Sequence, residues 1–192
     1  MLSRADALAA LSEEEFDVVV IGGGVTGAGV AFDAASRGYS VAIVERNDWA
    51  AGTSSRSSKM VHGGLRYLQN FDLGLVREAL VERQIMVRQA PHLVYPTPFL
   101  VPSLGEHKRD RKIGIGLNMY DVMSRESLRR RRRDANADGE ADWSPDRHRM
   151  IDGDEVTELI PALTARDPSG GYLFYDCQTD DARLVLTVLN EA

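Results

Sequence analysis

Four β-branched residues in succession, Val18-Val19-Val20-Ile21, make the first apolar run of the chain, and at strand length they predict a β-strand. A glycine cluster follows, then an alanine-rich helical stretch from Ala28 to Arg37, then a second apolar run, Val41-Ala42-Ile43-Val44. Strand, glycine turn, helix and strand in that order are a βαβ unit. Arg37-Gly38 supplies the helix stop, a cation in the last turn and a glycine able to turn left-handed just beyond it. Upstream, Ala5, Leu8 and Leu11 at three-residue spacing predict a short helix in an N-terminal tail over 1–15. Glu13, Glu14 and Glu15 would be repelled by anionic lipid, so this tail reads as a surface cap rather than a membrane-docking segment.

Beyond the βαβ unit the pattern is mostly helical. Asp72 has the position of an N-cap, and Leu73, Val76, Leu80 and Val87 keep helical spacing until Pro91, which predicts a helix over 73–89. Pro91, Pro96, Pro98 and Pro102 then punctuate Leu93 to Val101, whose apolar residues predict extended, edge-strand structure. A further helix is expected around Ile113 to Ser124. Arg125 to Arg149 carries eight arginines and six acids and almost no apolar residue, so it reads as a charged, solvated loop at 125–149; a polyanion or phospholipid contact is the alternative. Near the end, Asp180 and Asp181 stand where an N-cap and a first-turn acid belong, ahead of the helical face Leu184, Val185, Val188, Leu189. That face runs to Ala192 without glycine, proline or closing cation, which leads us to expect the N-terminal piece of a longer polypeptide.

Composition narrows the class. At 192 residues, 43% hydrophobic and 27% charged, the chain is long and apolar enough for one globular domain, and wholesale disorder is excluded. Its net charge of −6 argues against nucleic-acid binding, which calls for a basic face. A lone cysteine, Cys177, rules out disulfide frameworks, CxxC pairs and cysteine zinc sites, suits a reducing, cytoplasmic compartment, and leaves any redox chemistry to a cofactor. Cys177 itself is expected to be buried and inert. The N-terminus lacks the apolar core of a secretory signal, and no stretch approaches the ~18 apolar residues of a membrane span.

The candidate chemistry begins at Gly22-Gly23-Gly24-Val25-Thr26-Gly27, which fits GxGxxG between a strand and a helix. Gly22 permits the tight turn, Gly24 lets the backbone approach a diphosphate, and Gly27 lets the helix pack closely on the strand. The free N–H groups and positive dipole of the helix start then face the phosphates. Glu45, closing the second strand, is placed to accept from ribose hydroxyls and would repel a 2′-phosphate. These features predict a dinucleotide but leave FAD and NAD open. Downstream, Thr53, Ser54, Ser55, Ser57 and Ser58 offer hydroxyls, Lys59 offers a cation, and His62-Gly63-Gly64-Leu65-Arg66-Tyr67 offers two glycines able to lie against a flat ring. A serine-rich surface loop is the bland alternative, weakened by the density of His62, Gly63, Gly64, Arg66 and Tyr67. Asp176, Asp180 and Asp181 could suggest a metal, but capping of the last helix accounts for them better; no metal site is expected. His92, His107 and His148 receive no role.

The run from Ile21 through Asp33 and Arg37-Gly38, then Thr53-Ser54-Ser55, Ser58-Lys59 and His62 through Leu68, resembles the FAD-dependent glycerol-3-phosphate dehydrogenases. Gly116-Leu117-Asn118-Met119-Tyr120-Asp121, Tyr175-Asp176 and Asp180-Asp181-Ala182-Arg183 are similar as well, so the likeness covers 16–192 nearly without a break. The resemblance implies an α/β, Rossmann-like FAD-binding domain over 16–192, truncated before its substrate-capping half. It also implies oxidation of sn-glycerol 3-phosphate to dihydroxyacetone phosphate by hydride transfer to FAD, with electrons passed to a membrane quinone through peripheral contact with the inner face of the cell membrane. An oxidase that uses oxygen and a non-catalytic dinucleotide-binding module are the alternatives. On this likeness FAD is held by Gly22, Gly24, Val25, Thr26, Gly27, Glu45, Arg46, Thr53, Ser54, Ser55, Ser58, Lys59, His62, Gly63 and Gly64. His62, Arg66 and Tyr67 line the substrate side: Arg66 pairs with an anionic substrate or a developing C2 oxyanion, and His62 acts either as base or as a hydrogen-bonding support for the flavin. The 192 residues alone are expected to bind FAD weakly, if at all, and not to turn over substrate.

Overall fold

The structure is a computed structural model. It describes residues 3–68, 70, 72–104, 111–134 and 146–192, with the backbone alone at Arg66, Leu68 and 125–134. In chain order the elements are α1 (Arg4–Glu13), β1 (Val18–Ile21), α2 (Val25–Ser36), β2 (Val41–Val44), β3 (Met60–Val61), α3 (Leu65–Leu68), α4 (Leu73–Gln89), β4 (Val94–Leu104), α5 (Arg111–Asp134), β5 (Arg149–Asp152), α6 (Gly153–Leu159), β6 (Pro168–Thr179) and α7 (Asp181–Glu191). Sequence reasoning expects one domain over 16–192; the chain divides into two compact units, Met1–Lys59 with Thr179–Ala192, and Met60–Gln178.

The first unit contains the βαβ element as expected. β1 and β2 pair in parallel, Val18 opposite Val41 through Ile21 opposite Val44, with α2 as the crossover. α2 starts at its bare N-cap Gly24 and ends where Gly38, at φ +87°, turns left-handed. Its inner face is alanine, and that small residue lets α7 approach closely: Ala28, Ala50 and Val185 form a buried cluster flanked by Ala182, Val188 and Leu189. Gly27 sets the approach of α2 to β1, since a Cβ there would lie 1.9 Å from the Gly22 carbonyl oxygen. α1, capped by the Ser3 hydroxyl accepting from the Asp6 amide at 3.2 Å, buries none of its residues, in keeping with a surface tail.

The second unit is built on an antiparallel sheet ordered β3-β6-β4, with β5 also paired to β6. β4 has the terminal place in that order, the place its three prolines allow, because proline has no N–H for an inner ladder. Helix α4 begins at the Asp72 cap and runs to Gln89, as the spacing predicts, and packs on α5 through Val76, Leu80 and Tyr120. Leu117, Tyr172 and Phe174 fill the space between α5 and β6, and Ile151, Val156 and Leu173 the space beneath α6.

The charged segment requires a correction. The expected loop over 125–149 is helical at its start, because α5 continues to Asp134, and its last residue, Arg149, opens β5. Arginine is a good helix former, and neither glycine nor proline lies between Arg125 and Asp134, so a highly charged run can stay helical. Residues 135–145 of that segment lie outside the described residues. Strand β6 has no counterpart in the sequence reading, although Tyr172-Leu173-Phe174-Tyr175 is an apolar run of strand length.

Gly27→Ala tests the α2–β1 contact. Overpacking against a carbonyl should lower stability by about 1–3 kcal/mol, outweighing the ~1 kcal/mol that alanine gains over glycine inside a helix. Urea denaturation checks this; an unchanged or raised midpoint would show that α2 can back away freely.

Candidate functional site

In the first unit the glycine turn is bound to its neighbours by its own backbone. The Gly22 N–H donates to the Val44 carbonyl at 2.8 Å, and Gly22 holds φ +110°, a conformation that side chains rarely tolerate. The buried Gly23 N–H donates to Glu45 Oε2 at 2.9 Å, while Glu45 Oε1 accepts from the Asn47 N–H at 2.7 Å. Those amide donors, Asn47 first and Gly23 second, hold the Glu45 carboxyl below its usual range, so it is anionic at the end of β2. Gly23 is a residue that the motif leaves unassigned. A Cβ on it would lie 2.2 Å from Trp49 Cε3, so any other residue at this "x" position of GxGxxG would have to displace the indole ring.

Ser54 lies in a 3-10 turn, Thr53–Ser55, and its Oγ accepts from the Val25 N–H at 2.9 Å, at the first residue of α2. A Cβ on Gly24 would stand 3.0 Å from that oxygen. The start of α2 is thus a bare helix end whose first amide already takes an oxygen acceptor. Gly22, Gly24, Val25, Gly27, Glu45 and Ser54 come together around it. The residues fit the diphosphate and ribose of a dinucleotide. Thr26, Arg46, Thr53 and Ser58 are exposed, and Ser55 is half-buried.

Lys59, expected to supply a cation to the phosphates, is engaged within the protein. Its Nζ donates to Asp181 Oδ1 at 2.5 Å and to the Ser55 carbonyl at 2.7 Å, and Asp181 Oδ2 accepts from the Ser57 hydroxyl at 2.7 Å. The serine-rich loop is therefore fastened to the first turn of α7. Asp180 caps α7 by accepting from the Arg183 N–H at 3.0 Å, as expected.

The second unit holds the His62-Gly63-Gly64 turn between β3 and α3. Gly63 is buried, and a Cβ on it would meet Leu80 Cδ2 at 2.4 Å and Tyr120 Cε2 at 2.7 Å. Gly64 takes φ +69°. Both amides are used internally: Gly63 N–H donates to the Tyr120 hydroxyl at 2.6 Å, and Gly64 N–H to His62 Nδ1 at 2.8 Å. His62 and Tyr67 are exposed; Arg66 belongs to α3, and its side chain lies outside the described residues.

Beneath the turn is a buried cluster that sequence reasoning missed. Arg83 Nη1 donates to Asp176 Oδ1 at 2.6 Å, Tyr120 OH donates to Asp176 Oδ2 at 2.6 Å, and Arg83 Nη2 donates to Ser124 Oγ at 2.9 Å. Burial first, with Asp176 reinforcing it, pushes the Tyr120 phenol well above its usual range against the pull of Arg83, so it stays protonated and can donate. Burial likewise pushes the Cys177 thiol up to about 12, matching the expectation of an inert cysteine. The signal for the cluster was a charged residue, Arg83, on the apolar face of α4.

The sequence profile of the FAD dependent oxidoreductase family matches residues 17–192. The chain belongs to the FAD dependent oxidoreductase family. FAD and the α/β class, expected from the resemblance, are those of this family. Glycerol-3-phosphate dehydrogenase 2 of Mycobacterium tuberculosis is 45% identical over 190 residues, 98% of this chain and 30% of that protein. Aerobic glycerol-3-phosphate dehydrogenase of Staphylococcus aureus is 39% identical over 186 residues, 95% of this chain and 30% of that protein. The chain therefore spans about a third of the length of these relatives. Among solved structures, the glycerol-3-phosphate dehydrogenase from Bacillus halodurans complexed with FAD is similar at a TM-score of 0.59 and 30% identity, over 98% of this chain and 26% of that one. Glycine oxidase from Geobacillus kaustophilus, 22% identical with a TM-score of 0.59 over 92% of this chain and 44% of that one, shares the fold.

The Lys59–Asp181 contact makes a pH prediction. The Lys59 hydrogen bond first, and Ser57 second, lower the Asp181 carboxyl from 3.8 to about 2. A carboxyl with a depressed folded pKa stabilises fully above its unfolded value and loses that stabilisation as pH falls through the folded value. Asp181→Asn should therefore melt below wild type at neutral pH, and the gap should close between about pH 4 and pH 2. Thermal melts across that range check it; a pH-independent gap would remove the ion pair from the account.

Proposed function

We propose that this chain is the FAD-binding part of an FAD-dependent glycerol-3-phosphate dehydrogenase, which oxidises sn-glycerol 3-phosphate to dihydroxyacetone phosphate and passes the electrons to a quinone. The observation that carries the reading is 45% identity, across 98% of the chain, to a relative named glycerol-3-phosphate dehydrogenase. The bare start of α2 supports it independently, through its fit to a diphosphate.

In this reading Gly22 to Gly27 hold the diphosphate, Glu45 accepts from the ribose hydroxyls, and Thr53, Ser54, Ser55 and Ser58 donate to phosphate or ring oxygens. Ser54 exchanges its bond to the Val25 amide for one to the cofactor. Lys59 acts through Asp181, shaping the loop instead of neutralising phosphate. Bound FAD supplies the acceptor for the hydride that leaves C2. Arg66 pairs with the anionic substrate or the charge developing on its C2 oxygen, a use suited to its planar fork of donors, and Tyr67 lies beside it in α3. His62 serves as a hydrogen-bond donor, because its Nδ1 already accepts from Gly64 and the proton of the neutral ring is then on Nε2. The base for the C2 hydroxyl proton is assigned to the part of the relatives that this chain does not span. Association with the quinone's membrane is peripheral in this reading; among the described residues no helix is long and apolar enough to cross a membrane.

A chimera provides the test. This chain, replacing the matching residues of the Mycobacterium tuberculosis relative, should purify yellow and reduce a dye or quinone when given sn-glycerol 3-phosphate, while the 192 residues alone should not. Arg66→Ala in the chimera should lower kcat/KM by about 10²–10³-fold, the scale of one lost transition-state donor. A yellow chimera that ignores sn-glycerol 3-phosphate overturns the substrate, and peroxide formed in place of reduced quinone overturns the acceptor.

A further inference from the structure

We infer that the buried Arg83, Asp176 and Tyr120 form a positioning device that fixes the His62-Gly63-Gly64 turn and, through it, keeps His62 a hydrogen-bond donor at Nε2; its relevance to catalysis rests on the reading above, its geometry does not. Three elements meet here: Arg83 comes from α4, Tyr120 from α5 and Asp176 from β6. Arg83 and Asp176 are each 1% exposed and Tyr120 is 2% exposed, so none of them can serve as a surface contact.

The phenol's hydrogen-bonding capacity is fully used. It donates its one hydrogen to Asp176 Oδ2 at 2.6 Å and accepts from Gly63 N–H at 2.6 Å and Arg83 Nη1 at 3.2 Å. Arg83 matches the carboxylate's charge, so Asp176 stays an acceptor and the phenol hydrogen has one direction to point. That orientation leaves the phenol's lone pairs for Gly63 and Arg83. Sterics act in the same sense, because Gly63 is pressed against Leu80 and the Tyr120 ring with no room for a Cβ.

With Gly63 held, Gly64 is held one residue on, at φ +69°, with its N–H on His62 Nδ1. An imidazole that accepts at Nδ1 carries its neutral-state proton at Nε2. The chain of contacts therefore runs from a buried ion pair to the tautomer of an exposed histidine, and neither glycine amide of the turn remains for a ligand.

Two measurements on the 192-residue protein without cofactor test this. Nitrogen-15 spectra of wild type at a pH where His62 is neutral should show Nδ1 unprotonated and Nε2 protonated; the reverse tautomer overturns the proposal, and this needs no variant to fold. Hydrogen exchange in Tyr120→Phe should be at least 100-fold faster at Gly63, with amides inside α4 and β6 changed much less; an unaltered Gly63 rate, or equal acceleration everywhere, overturns it. In the chimera, Tyr120→Phe should lower kcat about tenfold with KM for sn-glycerol 3-phosphate within twofold of wild type, and an unchanged kcat overturns the catalytic relevance. If the wild-type chimera is inert to sn-glycerol 3-phosphate, the functional reading fails while the spectra and exchange still judge the positioning.

Discussion

A guanidinium and a carboxylate sealed together beneath one turn tie α4 to β6 in the second unit. Breaking a buried pair by removing one partner costs about 3–5 kcal/mol, while replacing both by apolar groups of similar volume is often neutral. The consequence of Arg83 and Asp176 is therefore geometric. Only one register of α4, α5 and β6 lets Arg83 reach Asp176, Tyr120 and Ser124 together, and a sliding of any of the three by one residue would strand a charge in the interior. The apolar clusters around Leu80 and Leu117 pack the same three elements together.

The first unit reaches its geometry by the opposite means. There, side chains are missing where contact is closest: Gly27 under the Gly22 carbonyl, Gly23 under Trp49, Ala28 against Val185. The backbone amides of the turn meet oxygens of the protein itself, Gly23 that of Glu45 and Val25 that of Ser54. An adaptable polar loop, fastened at Lys59 and Asp181, stands over them. One unit thus excludes side chains to bring its backbone close, and the other buries charges to hold a turn.

Legibility from the sequence followed the range of the forces. The βαβ unit, the α4 span and the caps at Asp72 and Asp180 are local patterns, set by periodicity and a single hydrogen bond, and all were readable. The Asp181 clasp and the Arg83–Asp176 pair join residues 122 and 93 positions apart, and nothing in the neighbourhood of either partner announces the other. Charge density misleads at Arg125–Asp134, where a highly charged run is helical. The packing of Trp49 over Gly23 is hidden because a motif records which positions a ligand needs, and this contact is within the protein. For His62 the residue was legible and its tautomer was not, since that depends on which amide the fold turns toward Nδ1.

Cys177 adjoins Asp176 and has no exposed surface. Because it is the chain's single thiol and is held protonated far above neutrality, an alkylating reagent in solution finds nothing to react with while β6 is paired. Its modification rate is then a native clock for the opening of that strand, readable by mass alone and without any label engineered into the protein.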